Sequence, residues 1–404
     1  MYIIGRSLII YMSKLLNRLC RVSLSLALIA GSLAALSSPV SAASPSSNKA
    51  IKLEFNGSMV ESDKAPFLDF KGRVYVPLRL VSDMLKTVVI WNEAAKEVSI
   101  YAPGHTLQLK PGSQTARLNG QAIQLTAPST IRNGSVYVPL RFITQSLGAK
   151  VGWTGSQRKA SISSPEIDNV EMGRSPANTA NAFWFNTSTG NLYQYTLGAK
   201  AAVLTGTIAF KKHSIDIVAV RVDPLQTDEF VVTVSDCYGE PMIYTMNNTA
   251  YIKNNKLLKQ SSVEYFQRDS VNISSFKNHP ILTDGKRLQM LNPKDGSVEK
   301  EYDLVKLGGY NELYSVEGMG DDYLLIRPNK TGMLTLVNPD TGKKKVLNEL
   351  LDKEDQEFFN TNDLPYLGDR LIVKGEQDGI INLEYYSFID NKTHKLSVKA
   401  KDSL

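Results

Sequence analysis

The chain has 404 residues, 42% hydrophobic and 21% charged, with 27 Gly and 17 Pro, and its 46 basic and 40 acidic side chains leave +6. Such proportions exclude collagen, a coiled coil and a wholly disordered chain, and at ~150 residues per domain they leave room for about two to three domains with real cores. Two cysteines exclude a disulfide framework and a Cys-based zinc site, and four scattered histidines argue against a histidine metal centre.

Residues 1–42 carry Arg6, Lys14, Arg18 and Arg21 and no acid. An apolar run from Val22 to Leu36 follows, then small residues up to Ala42. This is the order of a secretory signal, with cleavage predicted after Ala42. The run is ~15 residues, short of the ~20 a membrane span needs, so no stable span is expected after cleavage. Cys20 follows Asn17-Arg18-Leu19, which is no lipoprotein site. Met1 and Met12 both stand as candidate starts. Removing 4 basic residues with the signal leaves 42 against 40, +2, too little for a nucleic-acid footprint. The remainder is uneven: residues 43–170 carry 15 basic and 9 acidic side chains, +6, and residues 171–404 carry 27 and 31, −4.

An internal repeat defines residues 50–165. Gly72-Arg73-Val74-Tyr75-Val76-Pro77-Leu78-Arg79 returns 62 residues later as Gly134-Ser135-Val136-Tyr137-Val138-Pro139-Leu140-Arg141. The match continues through Leu85/Leu147, Val89/Val151, Trp91/Trp153 and Ile100/Ile162, with 12 identities over 31 positions. Each unit reads as a strand, a helix opened by Pro77 or Pro139 at its first position, and two more strands. Leu78, Val81 and Leu85 form the buried helical stripe. Gly148 stops the second helix, and Asn56-Gly57 and Asn119-Gly120 are hairpin turns.

The tandem G-x-x-[FY]-V-P-L-R … L … V-x-W pattern resembles the copper amine oxidase N-terminal-like (stalk) domain of secreted and cell-surface proteins of Gram-positive bacteria. The first half departs from it at Lys86-Thr87, where the second keeps Gly148-Ala149. The resemblance implies an α+β appendage remote from any copper. His105, His213, His279 and His394 form no H-x-H pair, and the chain has no Asn-Tyr-acid sequence. No catalytic, cofactor or metal residue is therefore carried over. Arg79 and Arg141 are read as ties from the first helical turn to a neighbouring carboxylate or carbonyl, with anion binding as the other reading. Trp91 and Trp153 are read as core. Lys96, Arg158 and Lys159, in turns, are the candidate polymer-binding residues.

Residues 166–181, rich in Ser, Pro, Asn and Gly, read as a linker. Residues 182–400 read as all-β. Alternating runs beginning at Leu192, Met242, Leu288, Leu334 and Tyr386 are 50, 46, 46 and 52 residues apart. That period predicts a β-propeller of about five blades, with a pair of β-sandwiches as the runner-up. The Asn-Pro-Asp-Thr-Gly turns loosely resemble those of quinoprotein-like or WD-like blades. Lys345 to Phe359 is the one helix-like stretch. Cys237 reads as a small buried hydrophobe, and Asp321-Asp322 and Glu354-Asp355 as solvated surface.

No hydrolase, zinc-protease, P-loop or dinucleotide motif is present. The sequence therefore points to an exported, non-catalytic cell-envelope protein. Its basic stalk domain would attach to an anionic wall polymer or act as a spacer, and its propeller would bind a ligand such as a surface protein or a glycan, with no nucleic acid and no cofactor. The alternative is an extracellular carbohydrate-active hydrolase or lyase with carboxylates in the propeller mouth.

Overall fold

The computed structural model describes residues 50–175, 181–213, 216–239, 242–268, 271–361 and 368–404. The export signal, its cleavage site and part of the expected linker lie outside them. Among the described residues no helix is long and apolar enough to cross a membrane.

The repeat folds about its own symmetry. Strands Val74–Pro77 and Ser135–Pro139 pair antiparallel with Val76 opposite Val138, the two equivalent positions of the repeat. Both valines are fully buried. Thr130–Arg132 and Phe67–Leu68 complete this central sheet. Helices α1 (Leu78–Met84) and α2 (Leu140–Ser146) pack Leu78, Val81, Leu140 and Ile143 into the same core. Pro77 and Pro139 stand one residue earlier than expected. With ψ of 129° and 119° they are the last strand residues and cap the helices, since an extended ψ cannot belong to a first helical residue. The Asn-Gly turns form as read, with positive φ at Asn56, Gly57, Asn119 and Gly120.

Two further sheets flank the core. One runs Lys150–Thr154, Lys159–Ser163, Lys52–Phe55, Ser58–Val60, so the last strand of the second unit joins the first strand of the first. The other runs Val88–Asn92, Glu97–Ala102, His105–Leu109, Thr115–Leu118, Gln121–Gln124, with His105–Leu109 as an added strand between the two units. Ile51, Leu53, Ile100, Leu107 and Ile162 close the core.

The expected linker is structured where it is described. Pro165–Asn169 is a 3-10 turn, and Val170–Arg174 is a strand paired with Ala182–Asn186. Polar composition misled here, because an edge strand needs few apolar residues.

Five antiparallel sheets follow in chain order, here I to V. Sheet I spans Val170–Arg174 to Val203–Thr207, II Asp216–Gln226 to Lys256–Phe266, III Ser275–Phe276 to Val298–Asp303, and IV Tyr314–Met319 to Lys344–Val346. Each has four strands; V has three, from Ile372–Gln377 to Thr393–Lys399. The sequence period picks out the third strand of sheets I to IV, whereas the run at Tyr386 starts on the last residue of the second strand of V and covers the turn after it.

Neighbouring residues on one strand are buried against opposite neighbours, as a period of two requires. Phe183 and Phe185 pack on sheet II, while Trp184 between them packs on Val88 and Tyr101 of the repeated domain. Phe230 and Val232 face sheet I, and Val231 faces Leu282 and Leu291 of III. Leu324 and Ile326 join III, and Leu325 joins Ile381 and Leu383 of V.

The stack is propeller-like, each sheet packing on the next in chain order. The outer face of sheet I is covered by the repeated domain, and Asn382 and Lys395 lie exposed on the outer side of V. Among the described residues no hydrophobic cluster joins V to I. The helix expected over 345–359 is three elements: a strand to Val346, a 3-10 turn Leu347–Leu350 and a helix Lys353–Thr361.

Candidate functional site

The repeated domain exposes side chains expected to be occupied. Arg79 and Arg141 are both solvent-exposed, and neither guanidinium has a bonding partner among the described residues. The structural tie is therefore overturned: the first turns of α1 and α2 bury Leu78 and Leu140 and turn the next residue outward.

Trp91 and Trp153 are each 41% exposed, which overturns their core assignment. They lie on the same strand faces as Val89 and Val151, which pack against the core, but two residues further along, past its rim. Both strands are sheet edges. The ring N–H of Trp91 donates to Glu93, whose other oxygen takes Lys96, and these bonds hold the Glu93 carboxyl below its usual range, Lys96 contributing most.

The three turn cations separate. Lys96 is exposed and paired with Glu93. Arg158, at the equivalent left-handed position, is half-buried. Lys159 is not a free surface cation: it bonds Glu54 at 2.8 Å across the sheet junction and holds that carboxyl below its usual range.

A polar face on sheet II carried no sequence signal of its own. Register aligns Arg221, Thr233, Thr249 and Ser261 in one row across all four strands. Ser235 and Asn247 stand in the next row, bonded at 2.6 Å. The same face is apolar further along, at Val231 and Tyr251. Beside the row lies a cleft of about 310 Å³ bounded by Arg221, Asp223, Asn272 and Glu317, and a smaller cavity of about 40 Å³ reaches Thr233 and Thr249.

The charges around the cleft are paired. Arg221 donates to Asp223 at 2.8 Å and to the Asn272 carbonyl at 3.1 Å. Arg327 donates to Glu317 at 2.6 and 3.0 Å, to Asp369 at 2.5 Å, and to the carbonyls of Gly332 and Leu371. Burial alone would lower the Arg327 guanidinium, but the two carboxylates outweigh it and hold it protonated. Burial lifts the Asp369 carboxyl, and Arg327 with the amides of Leu371 and Leu334 draws it back.

The histidines lie apart. His213, His279 and His394 each sit beside one carboxylate, Asp236, Glu299 and Asp390, at 2.9, 3.0 and 3.0 Å. Among the described residues no three His, Cys, Asp or Glu side chains converge. Asp355 is buried rather than solvated, accepting from Tyr385 at 3.0 Å and Ser387 at 2.7 Å. Cys237 is half-buried.

Residues 54–162 match the copper amine oxidase N-terminal domain family. No curated protein matches the chain. Among solved structures, Citrobacter koseri AztD is similar at 10% identity over 72% of this chain and 88% of its own, with a TM-score of 0.23. YCF48 bound to D1 peptide is similar at 8% over 79% and 80%, with a TM-score of 0.24. The β-propeller domain of Myceliophteria thermophila Cps50 (Swd1) is similar at 9% over 64% and 84%, with a TM-score of 0.20. Likeness at these scores says nothing of ligand or activity.

Proposed function

We propose that the chain is an exported, non-catalytic binding protein of the cell envelope, whose repeated domain attaches to an anionic wall polymer and whose propeller-like stack of sheets presents a second surface. One observation carries the attachment: the repeat's distinctive side chains, Arg79 with Arg141 and Trp91 with Trp153, stand exposed in equivalent pairs. An unpartnered guanidinium is suited to phosphate or carboxylate, and paired sites on two repeat units suit a repeating polymer. The net +6 of residues 43–170 adds a general attraction. A non-catalytic role is supported by the carboxylates around the cleft, each committed to a guanidinium, where a hydrolytic acid must be able to give up its proton.

The test is sedimentation of residues 43–404 with purified Gram-positive walls. Binding at low salt should be released at high salt, as the Debye length falls from ~10 Å at 0.1 M to ~3 Å at 1 M. Arg79→Ala with Arg141→Ala should weaken it without lowering Tm. Absence of wall binding, indifference to salt, or full binding by the double variant refutes the reading. Export is tested by sequencing the N-terminus of the secreted form, expected at Ala43.

A further inference from the structure

Three Asn-Gly pairs occur in the chain: Asn56-Gly57, Asn119-Gly120 and Asn133-Gly134. Each closes a two-residue hairpin, with Phe55 opposite Ser58, Leu118 opposite Gln121 and Arg132 opposite Ser135. Both loop residues have positive φ in all three, at 45° and 81°, 51° and 82°, and 48° and 69°, which is the type I′ turn that this dipeptide favours. The backbone is therefore alike at each pair. Access is alike too, since a methyl group placed on any of the three glycines would meet nothing within 4 Å.

The asparagine side chains differ. Asn56 is held at both ends of its amide: Oδ1 accepts the Ser164 N–H at 2.8 Å, and Nδ2 donates to the Ser164 carbonyl at 3.0 Å and to Asp168 at 3.2 Å. In Asn119, Oδ1 accepts the Thr106 N–H at 2.8 Å and Nδ2 donates to the Gly104 carbonyl at 3.2 Å. Asn133 is exposed, and its amide has no hydrogen-bond partner among the described residues.

We propose that Asn133 is a site of spontaneous modification, converting to aspartate and isoaspartate, while the other two pairs are protected by their bonds. The proposal does not rest on wall attachment. Its only co-reactant is water. The Gly134 nitrogen attacks Cγ of Asn133 and an N–Cγ bond forms. The Cγ–Nδ2 bond breaks, and the amide nitrogen leaves as ammonia with the proton from the Gly134 nitrogen. Water then opens the cyclic imide. Cleavage of the N–Cγ bond gives aspartate, and cleavage between that nitrogen and the Asn133 main-chain carbonyl carbon gives isoaspartate. The first step requires the side chain to turn until Cγ meets the next nitrogen. A free amide exchanges between rotamers and reaches that position. A tethered one must first break at least two hydrogen bonds, which at their ordinary net worth slows it by about tenfold or more.

The two products differ in structure. Asp-Gly also suits a type I′ turn, so aspartate keeps the hairpin. Isoaspartate carries the main chain through Cβ, one methylene longer, which a two-residue loop between Arg132 and Ser135 cannot absorb without disturbing their pairing. Ser135 opens the strand that meets Val74–Pro77 across the repeat. Either product places a carboxylate one residue after Arg132 and two before Ser135, whose hydroxyl holds the Lys64 ammonium, and lowers the +6 of residues 43–170 by one.

The experiment is storage of residues 43–404 in warm, mildly alkaline buffer, folded and in urea, followed by peptide mapping of the three sites by mass spectrometry, with chromatography separating isoaspartate from aspartate. In the folded chain Asn133 should gain the mass of an amide exchanged for an acid at least ~10-fold faster than Asn56 or Asn119. In urea, where the tethers are gone, the three rates should converge. The proposal is overturned if Asn56 or Asn119 keeps pace in the folded chain, if Asn133 is as durable as they are, or if Asn133 leads by the same margin in urea, which would assign the selectivity to neighbouring sequence rather than to the tethers.

Discussion

Replacing Lys86 tests how the repeated domain is joined to sheet I. The second helix ends on Gly148 at φ +80°, and the first ends on Lys86 at φ +47°, the same turn without glycine. Both ends close alike, with Thr87 N–H on Ser82 O at 2.8 Å and Ala149 N–H on Thr144 O at 2.8 Å. A left-handed non-glycine residue costs ~1–2 kcal/mol. Three contacts offset that cost. Lys86 Nζ donates to Val170 O and pairs with Glu171 at 3.4 Å, and Lys86 O accepts the buried Trp184 ring N–H at 2.5 Å.

Lys86→Ala retains the strain and loses the ammonium contacts, which at ~1.5–3 kcal/mol for a hydrogen bond from a charged group sets the expected destabilisation. Lys86→Gly loses the same contacts but sheds about 1 kcal/mol of strain, giving a net loss of ~0.5–2 kcal/mol. Gly should therefore be better than Ala by about 1 kcal/mol, the reverse of their order inside a helix. Urea unfolding of residues 43–404, followed by circular dichroism, measures both. Ala equal to or better than Gly would refute the left-handed assignment, and wild-type stability in both variants would refute the contact to sheet I.

Arg327→Ala should cost ~3–5 kcal/mol, since it strands the buried Asp369, and Arg327→Lys should rescue little because one ammonium cannot reach both carboxylates and two carbonyls; thermal unfolding decides. Acrylamide should quench Trp91 and Trp153 but not Trp184, which is 1% exposed, so Trp91→Phe with Trp153→Phe should leave a blue-shifted, quench-resistant emission; a quenchable remainder would contradict it. A fragment ending at Asn169 uncovers Val88 and Tyr101 and should melt lower than the same domain in the whole chain by calorimetry; equal melting would make the contact with sheet I energetically idle.

Much of the fold was legible from local pattern. The 62-residue repeat, the Asn-Gly hairpins, the helical stripe at Leu78, Val81 and Leu85, and the 46-to-52-residue spacing of β runs all depend on short-range chemistry: a backbone that needs positive φ, a helix period, a strand period. Such signals repeat wherever the local geometry repeats. What they could not report is which surface covers which. Trp91 continues the face of Val89, and only the position of the core rim leaves it exposed. Arg79 follows a buried Leu78 whether or not a carboxylate pairs with it, and none does among the described residues. The strand at 170–174 exists because its backbone pairs with 182–186, not because its side chains demand it. The period of the sheets likewise does not say what covers the outer face of the first, where Trp184 meets Val88 and Tyr101, more than 80 residues before its strand. The row Arg221–Thr233–Thr249–Ser261 is likewise invisible along the chain, because its members meet only through the register of four strands. Composition and period act between neighbours in sequence, whereas burial and pairing are set between partners distant along it, and those partners decide both the cleft and the exposed pairs.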